Sequence, residues 1–202
     1  KCFVSRDIAT LTRAFIVYVR PLLEYASCVW SPHQVGRINQ LEAVQRKFTK
    51  RLPGLAMLSY GERLAYLGLQ SLEMRRLKQD LVYCYKVVFG HVNACGELFE
   101  LSSSVNSSIG TRGHIYKLFP HYSRLDARKF FFSERVINSW YSLPAKTEHF
   151  HSLVTFKRFI RSADLKNMSH LVFNFFHSIL ASIYCITMFL CFFVVFKISN
   201  AC

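Results

Sequence analysis

The chain has 202 residues, of which 51% are hydrophobic and 15% aromatic, so it can bury a sizeable core and wholesale disorder is excluded. Its 26 Lys and Arg stand against 12 Asp and Glu, for a formal net charge of +14. An excess of that size raises the local anion concentration and favours phosphate-rich partners over acidic ones. Residues 30–90 hold ten cations against four acids, residues 110–166 eleven against four, and the stretch after Lys166 only Lys197.

Residues 7–30 (DIATLTRAFIVYVRPLLEYASCVW) read as a buried helix bent or broken at Pro21, with an aromatic end at Trp30. SPHQ at 31–34 is a turn. An amphipathic helix follows over 35–52, its apolar face set by Ile38, Leu41, Val44, Phe48 and Leu52, and Pro53-Gly54 ends it. Ser59 with Glu62 forms a capping-box pattern for a short helix through Tyr66 that stops near Gly68. Ser71 caps a longer helix over 72–89, whose inner face carries Met74, Leu77, Leu81, Cys84, Tyr85 and Val88. Four helices joined by short turns predict a helical bundle.

A polar, flexible connector occupies 93–112, around SSSVNSS. Beyond it HIYKLF (114–119) reads as extended, and 126–142 as a helix with Phe130, Val136, Ile137 and Trp140 inward. A last amphipathic helix covers 152–164, with Leu153, Phe156, Phe159 and Ile160 on its apolar side. Residues 171–196 contain no Lys, Arg, Asp or Glu, longer than the roughly 20 residues that cross a bilayer core. They are the transmembrane candidate of the chain. The fold class expected is mainly α: a helical bundle over 1–92, a linker at 93–112, a small basic aromatic segment at 113–166 and an apolar tail at 167–202.

The opening on Lys1 rather than Met raises the expectation of a piece of a longer reading frame. No secretory signal is expected from a start that carries Lys1, Arg6, Asp7, Arg13 and Arg20. Seven scattered cysteines without a CxxC pair predict reduced thiols in an intracellular protein, in cytoplasm or nucleus, and no zinc knuckle.

Five strings resemble the region behind the palm domain of LINE-type, jockey-like non-LTR retrotransposon reverse transcriptases: YVRPLLEYASCVWSP (18–32), LEAVQRKFTKRLPGL (41–55), SYGERLAYLGLQSLEMRRLKQDLVYCYKVVFG (59–90), TRGHIYKLFPHYSRLDARKFFFSERVINSWYSLP (111–144) and SLVTFKRFIRSADL (152–165). The resemblance implies a thumb-like helical region and a terminal segment that hold RNA template and DNA primer, non-specifically, downstream of a palm domain of the parent polyprotein. It implies an RNA-directed DNA polymerase only for that parent. Such enzymes hold two Mg2+ ions on an Asp-Asp turn plus a further Asp, whereas here Asp7, Asp80, Asp126 and Asp164 are each isolated. The chain itself is therefore expected to be no enzyme and to need no cofactor.

Three groups of cations are candidates for nucleic acid. Arg46, Lys47 and Lys50, with Arg37 and Arg51 at the margins, would meet a phosphate backbone through counterion release; the alternative is a solvated helix face. Arg75, Arg76 and Lys78 lie beside Glu73 and Asp80, where intrahelical pairing competes. Arg112, Lys117, Arg124, Arg128 and Lys129 are interleaved with Tyr116, Phe119, Tyr122 and Phe130, a mixture suited to single strands; the alternative is that Phe130, Phe131 and Phe132 are core. His149-x-His151 lacks a third ligand and reads as loop rather than metal site. A second reading of the whole is a single-span membrane protein, a basic cytoplasmic domain anchored by 171–196, since Arg158, Arg161 and Lys166 before the span outnumber Lys197 after it.

Overall fold

The computed structural model describes residues 6–93, 98–102, 116–163 and 165. The chain divides into two compact units, Lys1–Ala163 and Asp164–Cys202. The protein is mainly helical. The apolar stretch 171–196, most of the 93–112 connector and Arg112 lie outside the described residues. Among the described residues no helix is long and apolar enough to cross a membrane.

Helix α1 (Ile8–Ala14) starts at Asp7, whose carboxylate accepts from the Thr10 N–H at 2.8 Å. It runs without a break through a π-helical turn, Phe15–Val19, into α2 (Arg20–Glu24). Pro21 supplies the reason. Its ring would clash with the carbonyl four residues back and it donates no hydrogen bond, so the turn before it widens and Arg20 N–H bonds Phe15 O instead. The expected bend is thus absorbed as a π-turn. The expected burial is not found: Tyr18, Leu22, Tyr25 and Val29 are 68–78% exposed, and only Thr12, Phe15 and Ser27 are buried. Phe15 anchors the helix by stacking on Phe48, centroids 4.3 Å apart.

Helix α3 (Val35–Lys50) also turns a different face inward from the one its apolar residues mark. Glu42, Gln45 and Thr49 are buried, Leu52 continues their line just past the helix, and Val44 is 39% exposed. Their polar atoms are received by the neighbouring elements. Helix α4 (Tyr60–Leu67) begins with the Ser59–Glu62 capping box and ends at Gly68, in the left-handed region (φ 62°) that glycine enters at no steric cost. Tyr60 donates to Glu42, Gln45 donates to Tyr60 and to Gln70 O, and Arg63 Nε donates to Thr49 Oγ1 at 3.2 Å. The second oxygen of Glu42 accepts the first N–H of α5 (Leu72–Val88) at 2.9 Å, adding to the Ser71 cap. Burial, reinforced by Glu42, raises the Tyr60 phenol.

The apolar core lies on the other side of α5, where Leu81, Cys84 and Tyr85 are buried, while Met74, Leu77 and Val88 are only half-buried. Against it pack α7 (Phe132–Tyr141) and α8 (Leu153–Ser162). They contribute Phe132, Val136, Ile137, Trp140, Phe156 and Ile160, and a 3-10 turn at Thr147–Phe150 adds Phe150. Tyr85 stacks on Phe156 at 4.6 Å and donates to Phe150 O, and Trp140 Nε1 donates to Tyr116 O at 2.7 Å. Each fully buried side chain here is worth about 1.5–3 kcal/mol of transfer free energy. Leu118, fully buried, makes an antiparallel bridge with Leu101.

The single helix expected over 126–142 is two. A short α6 (Asp126–Lys129) stops at Phe130, and Phe131 takes an extended conformation as the N-cap of α7. Phe130 leaves the helical line to stack flat on His33, 4.0 Å away at 6°, and Arg135 Nη1 donates to its carbonyl. A contact distant in sequence therefore overrides local helix propensity.

Candidate nucleic-acid interface

The cations divide sharply by what surrounds them. Arg75 and Arg76 both have partners within the fold, the structural alternative that stood beside their reading as nucleic-acid candidates. Arg75 grips Glu24 with both Nε and Nη2, joining α5 to α2. Arg76 is 5% exposed; its Nη2 donates to Leu23 O at 2.7 Å and its guanidinium lies 4.8 Å from the Trp30 ring centroid. Burial lowers the Arg76 pKa, while Glu24, Glu42 and Asp80 pull it back up. Lys78 Nζ donates to Arg161 O at 3.0 Å, at the C-terminal end of α8, where a cation complements the helix dipole.

Two further arginines were not singled out by sequence reading, and both are structural. Arg63 reaches Thr49 and Leu58 O. Arg135 pairs with Asp80 at 3.0 Å and also donates to the carbonyls of Ser27 and Cys28, tying α5 and α7 to the loop after α2. Burial raises the Asp80 carboxyl despite the opposing pull of Arg135. Burial, with Asp80 beside it, pushes the Cys28 thiol up to about 11. The charge of α5 could be counted in the sequence, but that Glu24 would meet Arg75 and Arg135 would meet Asp80 could not.

Helix α3 behaves oppositely. Arg37, Arg46, Lys47 and Lys50 are all exposed, as is Arg51 just after the helix, and Glu42, the one acid of α3, points inward. Among the described residues no carboxylate lies within ion-pair distance of any of these five. Arg46 rests over the Tyr60 ring at 5.2 Å, and Arg37 Nε donates to Gln34 at 3.2 Å. The outer face of α3 is a carboxylate-free strip.

Comparison with known proteins adds one relative. Over 93 residues, 45% of this chain, the sequence is 27% identical to the uncharacterized protein B0403.1 of Caenorhabditis elegans. The chain covers 47% of that protein, about half its length. No family model and no solved structure matches the chain.

Of the remaining candidates, three lie on or beside α6 and Lys117 lies by the end of α7. Arg124, Arg128 and Lys129 are exposed, with Lys129 5.9 Å from the Phe130 ring centroid, and Lys117 sits over Tyr141 at 5.4 Å. The three phenylalanines differ from one another: Phe132 is core, Phe130 is half-buried against His33, and Phe131 is 48% exposed. Tyr122 is 90% exposed. Of the two histidines, His149 accepts the Lys146 N–H at 2.9 Å and stacks on Phe159. Among the described residues no cluster of three or more His, Cys, Asp or Glu has metal-ligand geometry.

Proposed function

We propose that this chain is the thumb-like C-terminal piece of a LINE-type reverse transcriptase, catalytically inert alone, which holds template-primer nucleic acid through its phosphates. The observation that carries the reading is the outer face of α3: exposed cations with their one helical acid turned inward. Exposed cations that meet no carboxylate among the described residues release counterions when phosphate approaches, which gives affinity without sequence readout. The ordered resemblance of five segments supplies the polymerase context, and a mainly helical unit suits a thumb. Lacking an Asp-Asp pair, the piece depends on a palm domain for the metal-dependent step.

The test is binding of a fluorescent RNA–DNA hybrid to the full chain across a salt series. The logarithm of affinity should fall linearly with the logarithm of salt, by about 0.9 per phosphate neutralised on a duplex. Affinity that ignores salt, or no binding at about 50 mM salt, would sink the reading. Primer extension on an RNA template with Mg2+ or Mn2+ should stay at background; extension above it would overturn the inert part.

A further inference from the structure

A groove of about 700 Å3 opens between the 29–34 turn, the N-terminal half of α3 and the α6–α7 junction. We propose that it receives the unpaired bases of a single-stranded nucleic acid, a role that rests on the phosphate-binding function above and gives it a second, chemically different subsite.

The walls are aromatic and cationic. Trp30 and Phe131 are 42% and 48% exposed, and both line the groove. Behind Trp30 the Arg76 guanidinium lies 4.8 Å from the ring centroid, and the indole N–H is held by Tyr25 O at 2.8 Å. His33 and Phe130, stacked 4.0 Å apart, close the turn against the α6 side, and Arg135 bonds both the 27–28 carbonyls and Phe130 O. Trp30 is therefore held in place before any ligand arrives, so little of its rotamer entropy is given up on binding. Among the described residues no Asp or Glu lines the groove, whereas Arg37 does. Gln40, also in the wall, lies seven residues before Lys47, two helical turns and about 10.5 Å along one face. A strand whose bases enter the groove thus has its backbone led by Arg37 and Lys47 onto the cationic strip of α3. Exposed rings beside cations that meet no carboxylate among the described residues match the chemistry of base stacking with phosphate contact. An apolar or uncharged ligand would use the rings but leave the cations unmatched.

Trp30 and Trp140 are the only tryptophans, and Trp140 is fully buried, so quenching by an oligonucleotide reports on Trp30. The full chain, held in a non-ionic detergent, would be titrated with an oligo-dT of about 12 nucleotides, within the site sizes usual for single-strand binding, and with an abasic strand of equal length. The oligo-dT should quench, the abasic strand should not, and quenching should vanish in Trp30→Phe. Phe131→Ala should weaken oligo-dT binding about tenfold, the order expected when one stacking ring is removed. It should leave abasic binding within about twofold, and Phe131→Tyr should restore most of the affinity. Equal binding of both strands without quenching, and indifference to Phe131→Ala, would overturn the groove while leaving the α3 phosphate reading intact. If neither strand nor the hybrid binds, both readings fall.

Discussion

Two faces of the same helical unit carry arginine and lysine to opposite ends. Along the α2–α5–α7 junction each cation meets a carboxylate or carbonyl: Arg75 meets Glu24, Arg76 meets Leu23 O, and Arg135 meets Asp80 and the 27–28 carbonyls. On the outside of α3 the cations are presented to solvent, because Glu42 is committed to Tyr60 and the start of α5. The two regions differ in where the acids went rather than in how many cations they hold. A buried charge must be paired or it costs several kcal/mol, and a surface charge can stay open at little cost. Net charge therefore says little about binding until the carboxylates have been placed.

The contrast between the faces is sharpest at Asp80. Asp80→Ala would leave Arg135 largely buried without its carboxylate, and urea unfolding should report a loss of about 3–5 kcal/mol. A loss under about 1 kcal/mol would mean the junction is no more costly than a surface pair. On the other face, Arg46→Ala, Lys47→Ala and Lys50→Ala together should change stability by no more than about 0.5 kcal/mol per site. The same triple variant should flatten the salt slope of nucleic-acid binding by about one unit for each phosphate no longer neutralised. An unchanged slope would make α3 a merely solvated face.

Between these extremes stands Arg75, partly exposed but bidentate on Glu24. Arg75→Ala should cost about 1 kcal/mol in the same unfolding assay and leave the salt slope unaltered. A reduced slope would move it to the binding face. The smallest effect concerns Cys28. Its thiol titrates near 11 in the fold against 9.0 ordinarily, so the folded chain keeps the proton that the unfolded chain gives up. Any contribution to stability is then flat below pH 9 and declines as pH rises from 9 to 11. Peptide-resolved iodoacetamide labelling at about pH 8 should find Cys28 modified far more slowly in native than in urea-unfolded protein; equal rates would show an open thiol.

Helix positions and their caps could be read from the chain because they rest on neighbours a few residues apart. Ser59 and Glu62, Ser71 before α5, and Gly68 after α4 act through backbone groups within one turn. The mainly helical class followed from the same local signals. Which face of each helix is buried did not. Apolar spacing marked Ile38, Leu41, Val44, Phe48 and Leu52, of which Leu52 is buried, Phe48 packs on Phe15 and Val44 is exposed. That Glu42, Gln45 and Thr49 are buried on α3 as well depends on α4 and α5, which bring Tyr60, Arg63 and the Leu72 N–H to satisfy them. The exposed apolar row from Tyr18 through Leu22 to Val29, and the break at Phe130 opposite His33, likewise depend on elements far along the chain. Periodicity measures what a helix can hide at no cost, whereas tertiary structure decides what it hides once partners for its polar groups exist. For the candidate site the sequence determined the supply of cations and rings. The tertiary structure decided how the cations are used: Arg75 and Arg76 have partners inside the fold, while no acid among the described residues reaches Lys47 or Lys50.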